Sequence, residues 1–153
     1  VEKSAVIRDS SLIQMIKDSL NKVSGCLNPY RNEATGDVDV EAIRSVLNLY
    51  WSGVKETFPE AWGISPNKSR LMGGVGIKSM GNLMDKVMSN ILTNDLNADK
   101  MIVESLKPLK PYCAWTKGSW EKLNGIPWNQ LQNTSSDVKL LSNMLVRIYM
   151  GMD

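Results

Sequence analysis

The sequence predicts an all-α fold, a single compact domain of about five or six helices with a tryptophan-rich irregular segment before the last helix. Apolar residues recur at helical spacing in several stretches, whereas no useful length of chain alternates apolar and polar residues as a strand does. A length of 153 residues suffices for one core and is short for two. We therefore expect residues 1–153 to form one helical domain.

The first helix is predicted to follow the capping side chains of Asp9, Ser10 and Ser11 and to end at Gly25. Its apolar face would consist of Leu12, Ile13, Ile16, Leu20 and Val23. Residues 26–39 mix Pro, Asn and Gly with charged residues, which indicates a surface loop.

The second helix is expected to begin after a capping Asp37 or Asp39 and to end before Pro59, whose ring removes a backbone donor. Its buried stripe would consist of Val40, Ile43, Val46, Leu47, Tyr50 and Val54, closed by Phe58. A loop follows in which Trp62 is the only large apolar anchor.

A third helix, or helix pair, is predicted to start at Asn67 or Ser69. Its apolar side would consist of Met72, Val75, Met80, Leu83, Met84, Val87, Met88 and Ile91. The methionines of this side suit either core packing or an adaptable partner surface, and we favour core packing.

A fourth, short helix is predicted after Asn97 and before Pro108. Residues 107–133 lack periodicity and contain Trp115, Trp120 and Trp128, so this segment is expected to be irregular. The last helix follows the capping side chains of residues 134–136. Its stripe would consist of Val138, Leu141, Leu145, Ile148 and Met152.

Composition narrows the possible functions more than it identifies one. The chain has no histidine, which excludes Ser-His-Asp and Cys-His catalysis and histidine-containing zinc motifs. Cys26 and Cys113 are far apart in sequence, so free buried thiols are expected. No apolar run approaches membrane-spanning length and no signal peptide is evident, from which a cytoplasmic location is predicted. We expect no metal and no cofactor.

Residues 73–81, GGVGIKSMG, invite comparison with a phosphate loop. The Walker spacing fails because Ile77 separates Gly76 from Lys78, and no strand precedes the turn. The favoured interpretation is that the glycines let two helices approach closely or let the chain bend at a helix start. Lys68 and Arg70 lie near Lys78 in sequence, so the three form either an anion-binding patch or a solvated basic turn.

A second candidate site interleaves cations with aromatic residues: Lys107, Lys110, Tyr112, Trp115, Lys117, Trp120 and Lys122. Single-stranded nucleic-acid grooves hold phosphates with lysines and stack bases on rings. The alternative is that the tryptophans are core anchors. The predicted nucleic-acid-binding residues of both clusters are Lys68, Arg70, Lys78, Lys110, Trp115, Lys117 and Trp120.

Several segments resemble the helical C-terminal region of bacterial DGQHR-domain proteins, relatives of the DndB-type proteins associated with DNA phosphorothioation. These are YW at 50–51, FPEAW at 58–62, SRLMGGVGIKSMGNLMDKV at 69–87 and the stretch 128–149. The motif that names the family contains histidine and is absent here. The resemblance implies a non-catalytic role in a DNA-modification or defence-associated system.

Three hypotheses follow. The first is a non-catalytic helical module that contacts an upstream domain of the same protein, another protein or DNA. The second is a nucleic-acid-binding domain that uses the two clusters, and the third is a histidine-free enzyme. The chain begins with Val1, and we expect it to be the C-terminal part of a longer protein, with residues 1–8 as an extended arm or short strand.

Overall fold

A computed structural model describes residues 9–152, and the arm or strand predicted for residues 1–8 lies outside them. The all-α prediction is confirmed. The helices are α1 (Asp9–Asn21), α2 (Val40–Thr57), α3 (Gly74–Met88), α4 (Ala98–Leu106) and α5 (Ser135–Tyr149). Short 3₁₀ helices occur at Asn28–Tyr30, Arg70–Met72, Lys107–Tyr112 and Glu121–Leu123. A two-residue hairpin pairs β1 (Ser119–Trp120) with antiparallel β2 (Ile126–Pro127).

Helix α3 is the centre of the fold. Helices α1 and α5 pack against it, while α2 pairs with α4 and also contacts it. Twelve of its 15 residues are buried, which is typical of a helix enclosed by its neighbours. Its methionines lie in the core, with Met80 and Met84 fully buried, so the core-packing prediction is confirmed.

The glycines of residues 73–81 allow close approach, as predicted. A Cβ atom on Gly81 would overlap the Met15 side chain of α1, and one on Gly76 would overlap the carbonyl oxygen of Arg70. The predicted helix pair is confirmed with its start at Ser69, which is the N-cap of the 3₁₀ helix Arg70–Met72, whereas Asn67 starts no helix. The Ser69 hydroxyl is buried and donates to the Ala61 carbonyl at 2.8 Å. The long helix begins only at Gly74, after the 3₁₀ turn.

The predicted apolar face of α1 is partly wrong. Ile13 is 51% exposed and Val23 is 93% exposed, while Ser11, Met15 and Ser19 are buried. Ser19 Oγ donates to the buried Asp85 carboxylate of α3 at 2.6 Å, and this bond turns the serine side of α1 toward the core. The helix ends at Asn21 and not at Gly25.

The predicted caps of α2 and α5 are confirmed. The Asp39 side chain accepts from the Ala42 amide, and the Thr134 hydroxyl accepts from the Asp137 amide. Each satisfies an amide that the first turn of a helix leaves without a partner. The side chain of Asn97, expected to begin α4, makes no capping bond although α4 starts directly after it.

Candidate nucleic-acid interface

The three residues of α3 that are not buried are Lys78, Asn82 and Lys86. They are spaced by four residues, so they lie on one face of the helix and span about 12 Å along its axis. This face forms the floor of a groove of about 990 Å³ between α1 and α5. We call it the cationic groove.

The walls of the cationic groove repeat the same spacing. Helix α1 contributes Gln14 and Asp18, and Lys22 continues the spacing one residue beyond the end of that helix. Helix α5 contributes Lys139, Asn143 and Arg147. Ser24, Asn133, Thr134, Ser135, Val138, Ser142 and Val146 complete the lining. Among the described residues the lining thus holds five cations, one carboxylate and no aromatic side chain.

One of the five cations is already paired. The Lys22 ammonium lies 2.9 Å from the Asp85 carboxylate, which also accepts from the Cys26 amide at 2.9 Å. Within residues 9–152, the other four cations of the groove form no ion pair: Lys78, Lys86, Lys139 and Arg147. Because Asp18 is the only opposing charge in the lining, the groove is suited to an anionic ligand.

The N-terminus of α5 opens at one end of the groove but adds little to its charge. Thr134 caps the first turn, and Asp137 in that turn complements the helix dipole. The Asp137 carboxylate also accepts from the Gln132 amide at 2.8 Å. The attraction for anions therefore comes from the four unpaired side chains.

The basic residues predicted around the glycine turn are not brought together. Lys78 lines the cationic groove, whereas Lys68 and Arg70 do not. The Arg70 guanidinium donates to the carbonyls of Pro66 at 3.2 Å and Asn129 at 2.8 Å, and it lies 5.7 Å from the centre of the Trp128 ring. Arg70 thus joins two loops, and Lys68 is exposed on one of them.

The predicted lysine and tryptophan cluster is also separated from the groove. Trp115 is 2% exposed and Trp120 is fully buried, and the two rings make an edge contact at 5.0 Å. The prediction that these two rings stack on bases is therefore wrong, because both indoles are buried in the core. Lys110 and Lys117 are exposed, but neither lines the groove.

Sequence reasoning missed Lys22, Lys86, Lys139 and Arg147. The predicted clusters consist of cations that are close in sequence, whereas the cations of the groove come from α3, from α5 and from the turn after α1. A usable signal existed, since Lys78, Asn82 and Lys86 are polar residues at a spacing of four in a largely apolar helix. The partner helices could not be identified from this pattern.

The two cysteines are free, as predicted, and are poor nucleophiles. Burial raises the pKa of the Cys26 thiol to about 12, and the nearby Asp85 carboxylate acts in the same direction. Burial also raises the pKa of Cys113, with a further contribution from Glu60. Both thiols are protonated near neutral pH, so they do not supply the thiolate that cysteine catalysis needs.

In the part of the chain that the structure describes, no cluster of three or more acidic or cysteine side chains is placed to hold a metal ion. Within residues 9–152, none of the helices combines the length and apolar character that crossing a membrane requires. In comparisons with known proteins, the chain matches no family model, no curated protein and no solved structure, so the similarity to DGQHR-domain proteins stays a prediction.

Proposed function

We propose that this protein is a non-catalytic helical module that binds the phosphate backbone of double-stranded nucleic acid in its cationic groove. The observation that carries the proposal is the exposed face of α3. Its 12 buried residues leave only Lys78, Asn82 and Lys86 to the surface, and these three form the groove floor. Four cations without an ion pair in the described structure then face one exposed carboxylate.

The chemistry of the lining suits phosphates. Lysine, arginine, asparagine and serine side chains are common donors to the phosphodiester backbone. Lys78 and Lys86 are about 12 Å apart along α3. With α3 parallel to the duplex axis, this length covers three to four phosphates of one strand, at roughly 3.4 Å of axis for each. A duplex is favoured over a single strand because the described lining offers no ring on which an unpaired base can stack.

DNA contact also agrees with the resemblance to DGQHR-domain proteins, and we keep a role in a DNA-modification or defence-associated system as part of the proposal. A cytoplasmic location belongs to the same proposal. Contact with an upstream domain of the same protein stays a prediction. The histidine-free enzyme is less well supported, because among residues 9–152 the groove lining contributes a single carboxylate, Asp18.

The experiment measures the affinity of a fluorescein-labelled DNA duplex by anisotropy across a series of salt concentrations. If each unpaired groove cation contacts one phosphate, the affinity should fall with a logarithmic salt slope of about −3 to −4. The double variant K78Q/K86Q should reduce the magnitude of that slope by about 1.8, or about 0.9 for each lost phosphate contact.

The matched control is K110Q/K117Q, which removes two charges from the other predicted cluster. Both control lysines are exposed and lie outside the groove lining, so the slope should stay close to that of the unmodified protein. Absence of duplex binding at low salt would refute the proposal. Equal slope changes in the two double variants would show a diffuse charge effect and would argue against the groove as the site.

A further inference from the structure

A small apolar depression lies between α5 and the 3₁₀ turn Glu121–Leu123. Its volume is about 240 Å³, and we call it the apolar slot. It is lined by Lys122, Leu123, Leu140, Asn143, Met144, Arg147, Ile148 and Met152. None of the hypotheses drawn from the sequence uses this surface.

Helix α5 presents apolar residues both toward the centre of the core and toward the slot. Leu141 and Leu145 are fully buried in the core. Leu140, Met144 and Ile148 recur at a spacing of four on the side of the slot, where Leu140 is 46% exposed. Beyond the helix end, Met152 is 49% exposed. Met144 is 6% exposed and belongs to the core, so the apolar area that remains accessible to a partner comes from Leu140, Met152 and the partly buried Ile148.

The charges around the slot are of one sign. Lys122 and Arg147 line it, and none of the described lining residues is acidic. The Lys122 ammonium is held 4.9 Å from the centre of the Tyr112 ring, which restricts its position beside the slot. A partner that complements this surface is apolar at its centre and acidic at its edge.

The size of the slot indicates what fills it. Its volume lies below the roughly 300 to 1,000 Å³ of most small-molecule sites. It suits an anchoring side chain of a peptide, since interfaces depend on a few bulky residues inserted into pockets. The unbranched side chains of Met144 and Met152 can adapt to such an anchor. A phosphodiester backbone has no group that gains from an apolar slot.

We propose that the apolar slot binds an acidic, apolar segment of a partner protein. An apolar side chain of that segment would insert among Leu140, Met144 and Ile148, while its carboxylates pair with Lys122 and Arg147. An amphipathic helix with apolar anchors one turn apart matches the four-residue spacing of α5. The partner is thus defined by its chemistry as an acidic amphipathic peptide.

The slot and the cationic groove are neighbours on α5, since Arg147 and Asn143 line both. A bound acidic segment would neutralise Arg147 and place further carboxylates beside the groove. This step rests on the proposed function. If the groove binds nucleic acid, a peptide bound in the slot should weaken that binding. The partner would then regulate the module by electrostatic competition.

The experiment titrates the protein with a synthetic peptide of roughly 11 residues, about three helical turns, in which leucines one turn apart are flanked by aspartates and glutamates. Methyl NMR signals of Met144 and Met152 should shift, while that of the fully buried Met80 should not. A variant, Leu140→Asp, should weaken peptide binding about tenfold by adding a like charge at an exposed position beside the slot.

The control variant is Leu96→Asp, which makes the same substitution at a leucine that is 97% exposed and lies outside the slot. This variant should bind the peptide normally. The proposal would be overturned by unshifted Met144 and Met152 signals, by equal losses in the two variants, or by equal binding of a peptide with glutamines in place of its acids. Because this titration contains no nucleic acid, its failure is separate from a failure of duplex binding.

Discussion

The cationic groove and the segment 107–133 are both rich in lysine, yet the fold uses them in different ways. The groove takes its cations from α3, from α5 and from the turn after α1, and four of them form no ion pair within residues 9–152. The segment 107–133 buries Trp115 and Trp120 and sets Lys122 against Tyr112. A binding surface therefore depends on which side chains remain available after packing, and cations that are adjacent in sequence do not ensure this.

The largest effect that tests this comparison is expected from Trp120→Ala. The side chain is fully buried, so its removal should lower the free energy of unfolding by about 3 to 5 kcal/mol. Urea denaturation measures this loss. The salt slope of duplex binding by the folded variant should stay unchanged, because Trp120 is not part of the groove.

Trp128→Ala is the matched control, since this ring is only partly buried and should cost less stability. A Trp120→Ala variant that keeps its stability and loses nucleic-acid binding would contradict the comparison. It would favour the base-stacking role predicted from the sequence.

An intermediate effect is expected from Asp85→Asn. The carboxylate is 5% exposed and accepts from Ser19 and Cys26 while it pairs with Lys22. Replacing it should lower the free energy of unfolding by roughly 1.5 to 3 kcal/mol, the range for hydrogen bonds to charged groups. Release of Lys22 should steepen the salt slope of duplex binding by about 0.9.

Asp18→Asn provides the comparison for this variant, because it removes an exposed carboxylate from the same groove. It should strengthen binding with little change in stability. If folded Asp85→Asn binds the duplex more weakly, Lys22 contributes to duplex binding only while Asp85 holds it in position. This result would contradict the view that Asp85 neutralises Lys22.

The smallest effect concerns alkaline pH and Cys26. The thiol pKa rises from an ordinary 9.0 to about 12 in the folded protein, so the unfolded chain loses this proton first. The resulting stabilisation is complete below pH 9 and is lost as the pH rises from about 9 to about 12. Cys26→Ser should therefore show a weaker decline of the urea midpoint between pH 8 and pH 10 than the unmodified protein. Parallel declines would contradict a thiol that is kept protonated by burial.

Local sequence signals predicted most of the helices. The Asp39 and Thr134 caps and the stop near Pro59 correctly located the start of α2, the end of α2 and the start of α5. Capping and proline effects act over a few residues, so they are readable without the fold. Helix α1 shows the limit of such local signals. Apolar periodicity predicted that Ile13 is buried, whereas the buried side carries Ser19, which donates a hydrogen bond to Asp85.

The sequence predicted only one residue of the candidate site. Of the seven residues selected from the sequence, Lys78 lines the groove, while Trp115 and Trp120 were drawn into the core. The sequence shows where lysines and tryptophans occur. Whether a tryptophan side chain is buried depends on how the surrounding helices and loops pack around it.

By itself, the sequence determined the helical class, the caps of α2 and α5, the irregular segment 107–133 and the absence of histidine chemistry, because these follow from residue type and short-range spacing. The tertiary structure alone decided which face of α1 is buried and which cations meet. The floor of the groove was present in the sequence as Lys78, Asn82 and Lys86, but Lys139 and Arg147 lie more than 50 positions further along the chain. They share a groove with that floor only because α5 packs against α3, a long-range contact that spacing along one helix does not specify.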